Sequence, residues 1–418
     1  MSTDAATRAW DLTDPAVFAG DGHHAFWSTV RRTSPVYWHE GTRGRPGFWV
    51  VASHADVQRC YKSPTTLSSA RGTVLDVLLR GDDSAGGRML AVTDQPRHQQ
   101  LRSLMLRAFS PRVLADVAER IRRRTAALVA EVTERDSFDF ATEVADHLPI
   151  QTICDLLAIP GEDRGRLLKW NKQTLSSATA EPDELDALTA RNEIVLYFMD
   201  LAARRRARPD TDVVSMLATA EVEGAPLPLE DVALNCYSLI LGGDESSRMS
   251  AISAVHALAL HPGQWRDLRE GRVPLDTAVE EMLRWATPAL HFARTAATDT
   301  VIGGQRVRAG DIVTLWNVSA NNDEAVFDAP RTLNLSRTPN PHIAFGHGPH
   351  FCLGAFLGRA SLHALLAALA HTVADISLAA PPTPVYSTFL QGYRTLPIHL
   401  HQAEGGADRA PNWPFNAR

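Results

Sequence analysis

Cysteine is scarce in this chain, with four in 418 residues: Cys60, Cys154, Cys236 and Cys352. No two stand at C-x-x-C spacing, which leaves a zinc knuckle or a thioredoxin-type redox pair without support. So few thiols in so long a chain do not build a disulfide scaffold either. Positive charge is not in excess. The formal net charge is −6, so no global basic field draws nucleic acid. Long apolar runs are missing as well. Residues 232–243 form the longest helical apolar stretch, and Asp244 and Glu245 stop it well short of a bilayer span. Residues 1–10 lack the apolar segment of a signal peptide. What remains is a chain with 44% hydrophobic and 22% charged residues, the balance of a globular protein. It is expected to be soluble and cytoplasmic, with no membrane and no nucleic acid among its partners, and large enough to surround a sizeable cofactor.

Two short β-like runs, 35–38 and 48–51, open the chain. From about 97 to 260 the apolar spacings of three and four predict helices, broken near Pro111, Pro149, Pro160-Gly161, Pro209 and the stretch 223–228. Residues 229–260 read as one long helix and 275–286 as another. Short strands are expected over 300–315, a loop over 320–342, a helix over about 352–371 and β-like segments to about 400. The tail after Gly405 has few apolar residues and reads as loose. No repeat or long linker forces a domain cut, so residues 1–418 read as one domain.

The stretch Phe345-Gly346-His347-Gly348-Pro349-His350-Phe351-Cys352-Leu353-Gly354 stands out. A lone cysteine beside a helix is usually a small core residue. Here glycines and a proline allow a tight backbone that can approach a flat ligand, and Cys352 falls at the start of the following Ala/Leu helix. Free N–H groups at a helix start favour thiolate, which suits a metal or a nucleophile. The stretch resembles the haem-binding loop of cytochromes P450, F-x-x-G-x-x-x-C-x-G, with Phe345, Gly348, Cys352 and Gly354 in place. The resemblance implies haem b (iron protoporphyrin IX) with Cys352 as the iron's axial ligand. It also implies Phe345 packed over the sulfur and His350 at a propionate.

Other segments are similar to the same family in the same order. Asp94-Gln95-Pro96-Arg97-His98-Gln99-Gln100-Leu101-Arg102 matches a pattern whose His98 and Arg102 would bind propionates as two cationic donors, and Arg294 matches a further propionate contact. Glu281 and Arg284 share a helix face and, with Arg337, would lock the core of the haem loop without taking part in chemistry. The spacing alone is uninformative. It recurs at Glu40–Arg43, Glu119–Arg122 and Glu245–Arg248, and most such pairs are solvated.

Gly242-Gly243-Asp244-Glu245-Ser246 places two glycines and two acids inside an apolar helix, where each glycine costs about 1 kcal/mol. Such a local contradiction marks a functional site or a helix crossing with its acids turned to solvent. By resemblance it is the oxygen-binding groove, with the glycines leaving room for haem and dioxygen. Glu245 and Ser246 would be the catalytic pair relaying protons through water to the distal side. Ser246 departs from the common Thr: it keeps the hydroxyl and lacks the methyl that limits rotation. The basic run Arg120-Ile121-Arg122-Arg123-Arg124 reads equally as a solvated face or, with Arg107, Arg112 and Arg359, as a docking patch for an acidic ferredoxin.

The resemblance, spanning about residues 10–400, implies a mainly α fold with a small β-rich portion. It implies a monooxygenase that hydroxylates or epoxidises an apolar small molecule with O2 and electrons from a separate ferredoxin and ferredoxin reductase. Ser238, Leu241, Gly242, Leu290, Phe292, Phe389 and Leu390, with the loops near 70–92 and 170–192, would line the substrate pocket. Natural-product biosynthesis is the expected setting. Two rivals stay open: a haem-thiolate enzyme with another outcome (coupling, nitration, peroxide-driven oxidation) and a non-catalytic haem sensor or carrier.

Overall fold

The computed structural model describes residues 10–42, 44–175 and 184–402. Arg43, residues 176–183 within the expected pocket loops and the tail after Gly405 lie outside them. Helices dominate, among them Arg97–Ala108 (α1), Pro111–Val132 (α2), Leu148–Leu156 (α3), Gly161–Leu175 (α4), Glu184–Ala207 (α5), Leu229–Gly243 (α6), Glu245–Leu260 (α7), Leu275–Ala286 (α8) and Ala355–Thr372 (α9). None of the described helices is long and apolar enough to cross a membrane.

The long helices form where the sequence supplies both a stripe and a start signal. In α2, Ser110 caps the first turn by accepting from the Val113 N–H, and Pro111 occupies the first position, where its missing donor costs nothing. Val117, Ile121, Thr125, Val129 and Val132 then fall on one buried face, and α2 packs against α9. α8 begins after Pro274, carries Asp276 in its first turn and Arg284 in its last, and stops where Thr287 turns left-handed at φ 33°.

Two apolar clusters divide the helical part. One holds Leu101, Met105, Leu167, Phe198 and Ile240 from α1, α4, α5 and α6. The other holds Ile252, Leu258, Met282, Leu365 and Leu366 from α7, α8 and α9. Beside them lies a five-stranded sheet built from Val36–His39 (β1), Phe48–Val51 (β2), Leu67–Ser68 (β3), Phe292–Ala296 (β4) and Ile312–Leu315 (β5), in the order β1-β2-β5-β4-β3. β5 runs parallel to β2 and antiparallel to β4, with Val313 opposite Arg294.

The expected single helix over 229–260 is two. It breaks at Asp244, whose ψ of −75° ends α6, while α7 restarts at Glu245. The paired glycines before the break make it cheap, since they carry no side chain to resist the opened turn.

Candidate active site

Three elements bring four nitrogen-bearing side chains together: His98 and Arg102 from α1, Arg294 from β4, and His350 from the loop before α9. The His98 and His350 rings lie 4.0 Å apart. Arg294 is buried, donates to the Ala293 carbonyl at 2.7 Å, and sits over the Tyr61 ring at 5.6 Å. Burial, then Arg102, pushes His98 down to about 4, and burial with Arg294, His98 and Arg102 pushes His350 to about 3. Burial and the neighbouring guanidiniums thus favour neutral imidazoles at this site, and a neutral imidazole can still donate one hydrogen bond. The positive charge rests on the two guanidiniums. Nearby Asp94 is already engaged by Ser68 and Ser69, and His98 Nε2 is buried without a partner. Donors exceed acceptors here, which fits the carboxylates of a cofactor edge.

The cysteine loop lies alongside. Gly348 has φ +70°, and a Cβ there would meet the Tyr61 carbonyl oxygen at 2.5 Å, so only glycine lets the loop pass under Tyr61. The Cys352 N–H donates to the Phe345 carbonyl at 2.9 Å, and the Arg359 guanidinium covers the Phe345 ring at 4.6 Å. α9 begins at Ala355, three residues after the cysteine and later than expected.

The thiol also differs from expectation. Burial raises its pKa, outweighing the Gly354 N–H donated to sulfur and the charges of Arg102 and Arg359. The loop alone does not make a thiolate; a bound metal would. Cys352 is nevertheless solvent-accessible. An accessible cysteine beside an excess of donors suits a haem.

Glu281, Arg284 and Arg337 do meet. Arg284 Nε and Nη2 donate to the two Glu281 oxygens at 2.8 and 2.9 Å, and Arg337 Nε donates to Glu281 Oε2 at 3.0 Å, with Glu281 and Arg284 wholly inaccessible. Asn340 Nδ2 and the Asn334 N–H also donate to Glu281. Arg284 Nη1 reaches the Asn321 carbonyl at 2.9 Å. The cluster thus ties α8 to the loop leading into the cysteine segment.

At the break between α6 and α7 the two glycines differ. A Cβ on Gly242 would meet nothing within 4 Å, whereas one on Gly243 would fall 2.2 Å from Ile153 Cδ1 of α3. Gly242 borders open space as expected; Gly243 serves a helix crossing. The crossing reading holds for that residue, but its acids are not turned to solvent, for Asp244 and Glu245 are both buried. Ser246 Oγ donates to the Gly242 carbonyl at 2.7 Å. Glu245 Oε2 has no hydrogen-bond partner, and Arg248 Nη1 lies 3.6 Å from it. Burial raises the Glu245 pKa. The Glu245–Arg248 spacing, discounted in the sequence as a solvated pair, is buried on both sides. Glu119–Arg122 is exposed as expected.

Of the positions expected to line a pocket, Ser238, Leu241, Phe292 and Phe389 are partly accessible and Gly242 is exposed. Phe292 meets Phe389 edge-on at 5.6 Å. Leu390 is buried and bridges to Ala289. Leu290 has no accessible surface and packs with Phe48, Val50 and Trp316; it belongs to the core. In the basic run, Arg120 and Arg124 pair with Asp155, and Arg122 and Arg123 with Glu119. Arg359 pairs with Glu280. Arg107 and Arg112 are exposed.

Comparison with known proteins agrees with this geometry. The profile of the family described as Cytochrome P450 matches residues 201–372. Cytochrome P450 NovI of Streptomyces niveus is 42% identical over 390 residues, covering 93% of this chain and 96% of NovI. A steroid C26-monooxygenase of Rhodococcus jostii is 33% identical, covering 96% of this chain and 86% of that protein. Among solved structures, P450 OxyD, involved in the biosynthesis of vancomycin-type antibiotics, superposes with a TM-score of 0.85 at 34% identity, covering 94% of this chain and all of OxyD. With the relatives matched almost end to end, this chain belongs to the cytochrome P450 family of haem-binding oxidoreductases.

Proposed function

We propose that this chain is a haem-thiolate monooxygenase that hydroxylates or epoxidises an apolar small molecule in natural-product biosynthesis. The observation that carries this reading is the broken distal helix. It sets a hydroxyl, Ser246, and a buried acid, Glu245, beside Gly242, the one glycine of the pair with open space at its Cα. A sensor or carrier has no use for a buried acid, which costs stability wherever it sits.

In this reading the Cys352 sulfur holds the iron, His98, Arg102, Arg294 and His350 hold the propionates, and Phe345 and Gly354 flank the sulfur. The haem, when bound, supplies activation of O2. Ser246 positions a proton donor at its Oγ, and Glu245 exchanges protons with it through water. Phe292 and Phe389 with Ser238 and Leu241 shape an apolar wall with one hydroxyl. The involvement of OxyD in the biosynthesis of vancomycin-type antibiotics supports a natural-product setting, and the name of the steroid C26-monooxygenase supports a large apolar substrate. Electrons come from a separate ferredoxin and its reductase, docking at exposed Arg107 and Arg112, since the run at 120–124 is engaged by carboxylates of this chain.

The test is turnover of candidate natural products with ferredoxin, reductase and isotopically labelled O2. One labelled oxygen atom per product is expected. A product without oxygen from O2 would move the chain to a coupling reaction.

A further inference from the structure

The acid that no step above uses is Asp244, at the break itself. It is 2% exposed, and Asn171 of α4, wholly inaccessible, donates to it from Nδ2 to Oδ2 at 2.5 Å. The carboxamide's other end, Asn171 Oδ1, is buried and has no donor. An ionised Asp244 offers no hydrogen and leaves that oxygen unsatisfied. A carboxylic acid offers one. Turning the carboxamide over does not remove the need, because Oδ1 would then face Asp244 Oδ2 and again require a proton there.

Charge in the surrounding pocket points the same way. Three carboxyl groups, Asp146, Asp244 and Glu245, face two cations, Arg248 and Lys172. Arg248 is committed to Asp146 and to the Arg394 carbonyl, with Glu245 at 3.6 Å, and Lys172 Nζ pairs with Asp146 at 2.5 Å. α3 adds only the buried thiol of Cys154. With Asp244 neutral, two negative charges meet two positive ones.

We propose that Asp244 is carried as the neutral carboxylic acid, joined to the Asn171 carboxamide by two reciprocal hydrogen bonds, and that this pair is the positioning device that fastens α4 to the broken helix beside Glu245. Its bearing on proton delivery rests on the function proposed above; the pair itself does not. Burial, with Glu245 and Asp146, raises the carboxyl from 3.8 to about 7. A folded protein that holds this proton more tightly than the unfolded chain is favoured at low pH. It loses that advantage as pH rises from about 4 through about 7.

The experiment uses the purified holoprotein and the variant Asp244→Asn, a neutral isostere that can still pair with Asn171. Infrared spectra should show, below about pH 7, the carbonyl band of a buried protonated carboxyl that fades as pH rises and is missing from the variant. Thermal unfolding should show the parent losing ground to the variant across the same interval. A parent without the band, a variant that keeps it, or a pH-independent stability difference would overturn the proposal. Should Asp244→Asn not fold, Asn171→Ala serves instead: the band must shift, and an unmoved band is equally fatal. Neither readout needs substrate or turnover, so a failed monooxygenase assay and a failed pair are told apart.

Discussion

At the scale of single residues, Ser246 carries the chemistry of this account and shows why its hydroxyl matters more than its size. The Oγ closes on the Gly242 carbonyl that the broken helix leaves free, which fixes the rotor much as a threonine methyl would. Ser246→Ala should keep haem content, CO binding and substrate affinity, because none of these needs the hydroxyl. Product formed per electron should fall, by up to on the order of 10²-fold if the hydroxyl is the positioned proton donor, and the missing electrons should appear as hydrogen peroxide. Ser246→Thr should keep or improve the yield. An alanine variant with parental product per electron would show that protons arrive by another route. The neighbouring Asp244 stood out in the sequence as an acid inside an apolar helix, but its partner did not. Its partner Asn171 is far away in the chain, and an Asn inside a polar-looking helix gives no sign that it is wholly buried.

Elements explain more than residues about which glycine does what. The sequence shows Gly242 and Gly243 as equivalent, but their Cα–H bonds point in different directions, one into open space and one at Ile153 of α3. Gly243→Ala should therefore destabilise the protein by about 1–3 kcal/mol through overpacking, and shortening Ile153 to Ala in the same chain should recover part of that loss, read by thermal unfolding. If the second substitution only adds to the damage, Gly243 faces something other than α3. Helix boundaries near chemistry were only partly legible. The glycines and acids at 242–245 mark the spot in the sequence, but helical spacing resumes after them, so the interruption read as a feature within one helix rather than as the break at Asp244. The ion-pair cluster of Glu281, Arg284 and Arg337 was legible, because its order along the chain matched a known family even though its spacing did not stand out.

For the molecule as a whole, the fold class and the cysteine loop could be read from sequence because each rests on many constrained positions: long amphipathic helices, and glycines at fixed distances from one cysteine. What could not be read is set by three-dimensional neighbours. Leu290 left the pocket for the core, the run at 120–124 found its carboxylates in Asp155 and Glu119, and burial raised the Cys352 thiol that its place near a helix start was expected to lower. The thiol is raised by desolvation, and Asp155, the partner of Arg120 and Arg124, lies far from them in sequence, whereas Glu119 is a helical neighbour of Arg122 and Arg123. That Cys352 would hold the haem iron as thiolate is the proposal on which the rest stands. The most direct measurement is the absorption spectrum of the reduced protein under CO, for the parent and for Cys352→His. The parent should show the strongly red-shifted Soret band of thiolate ligation, and the histidine variant should lose it while still binding haem. A red-shifted band that survives in Cys352→His would contradict the account.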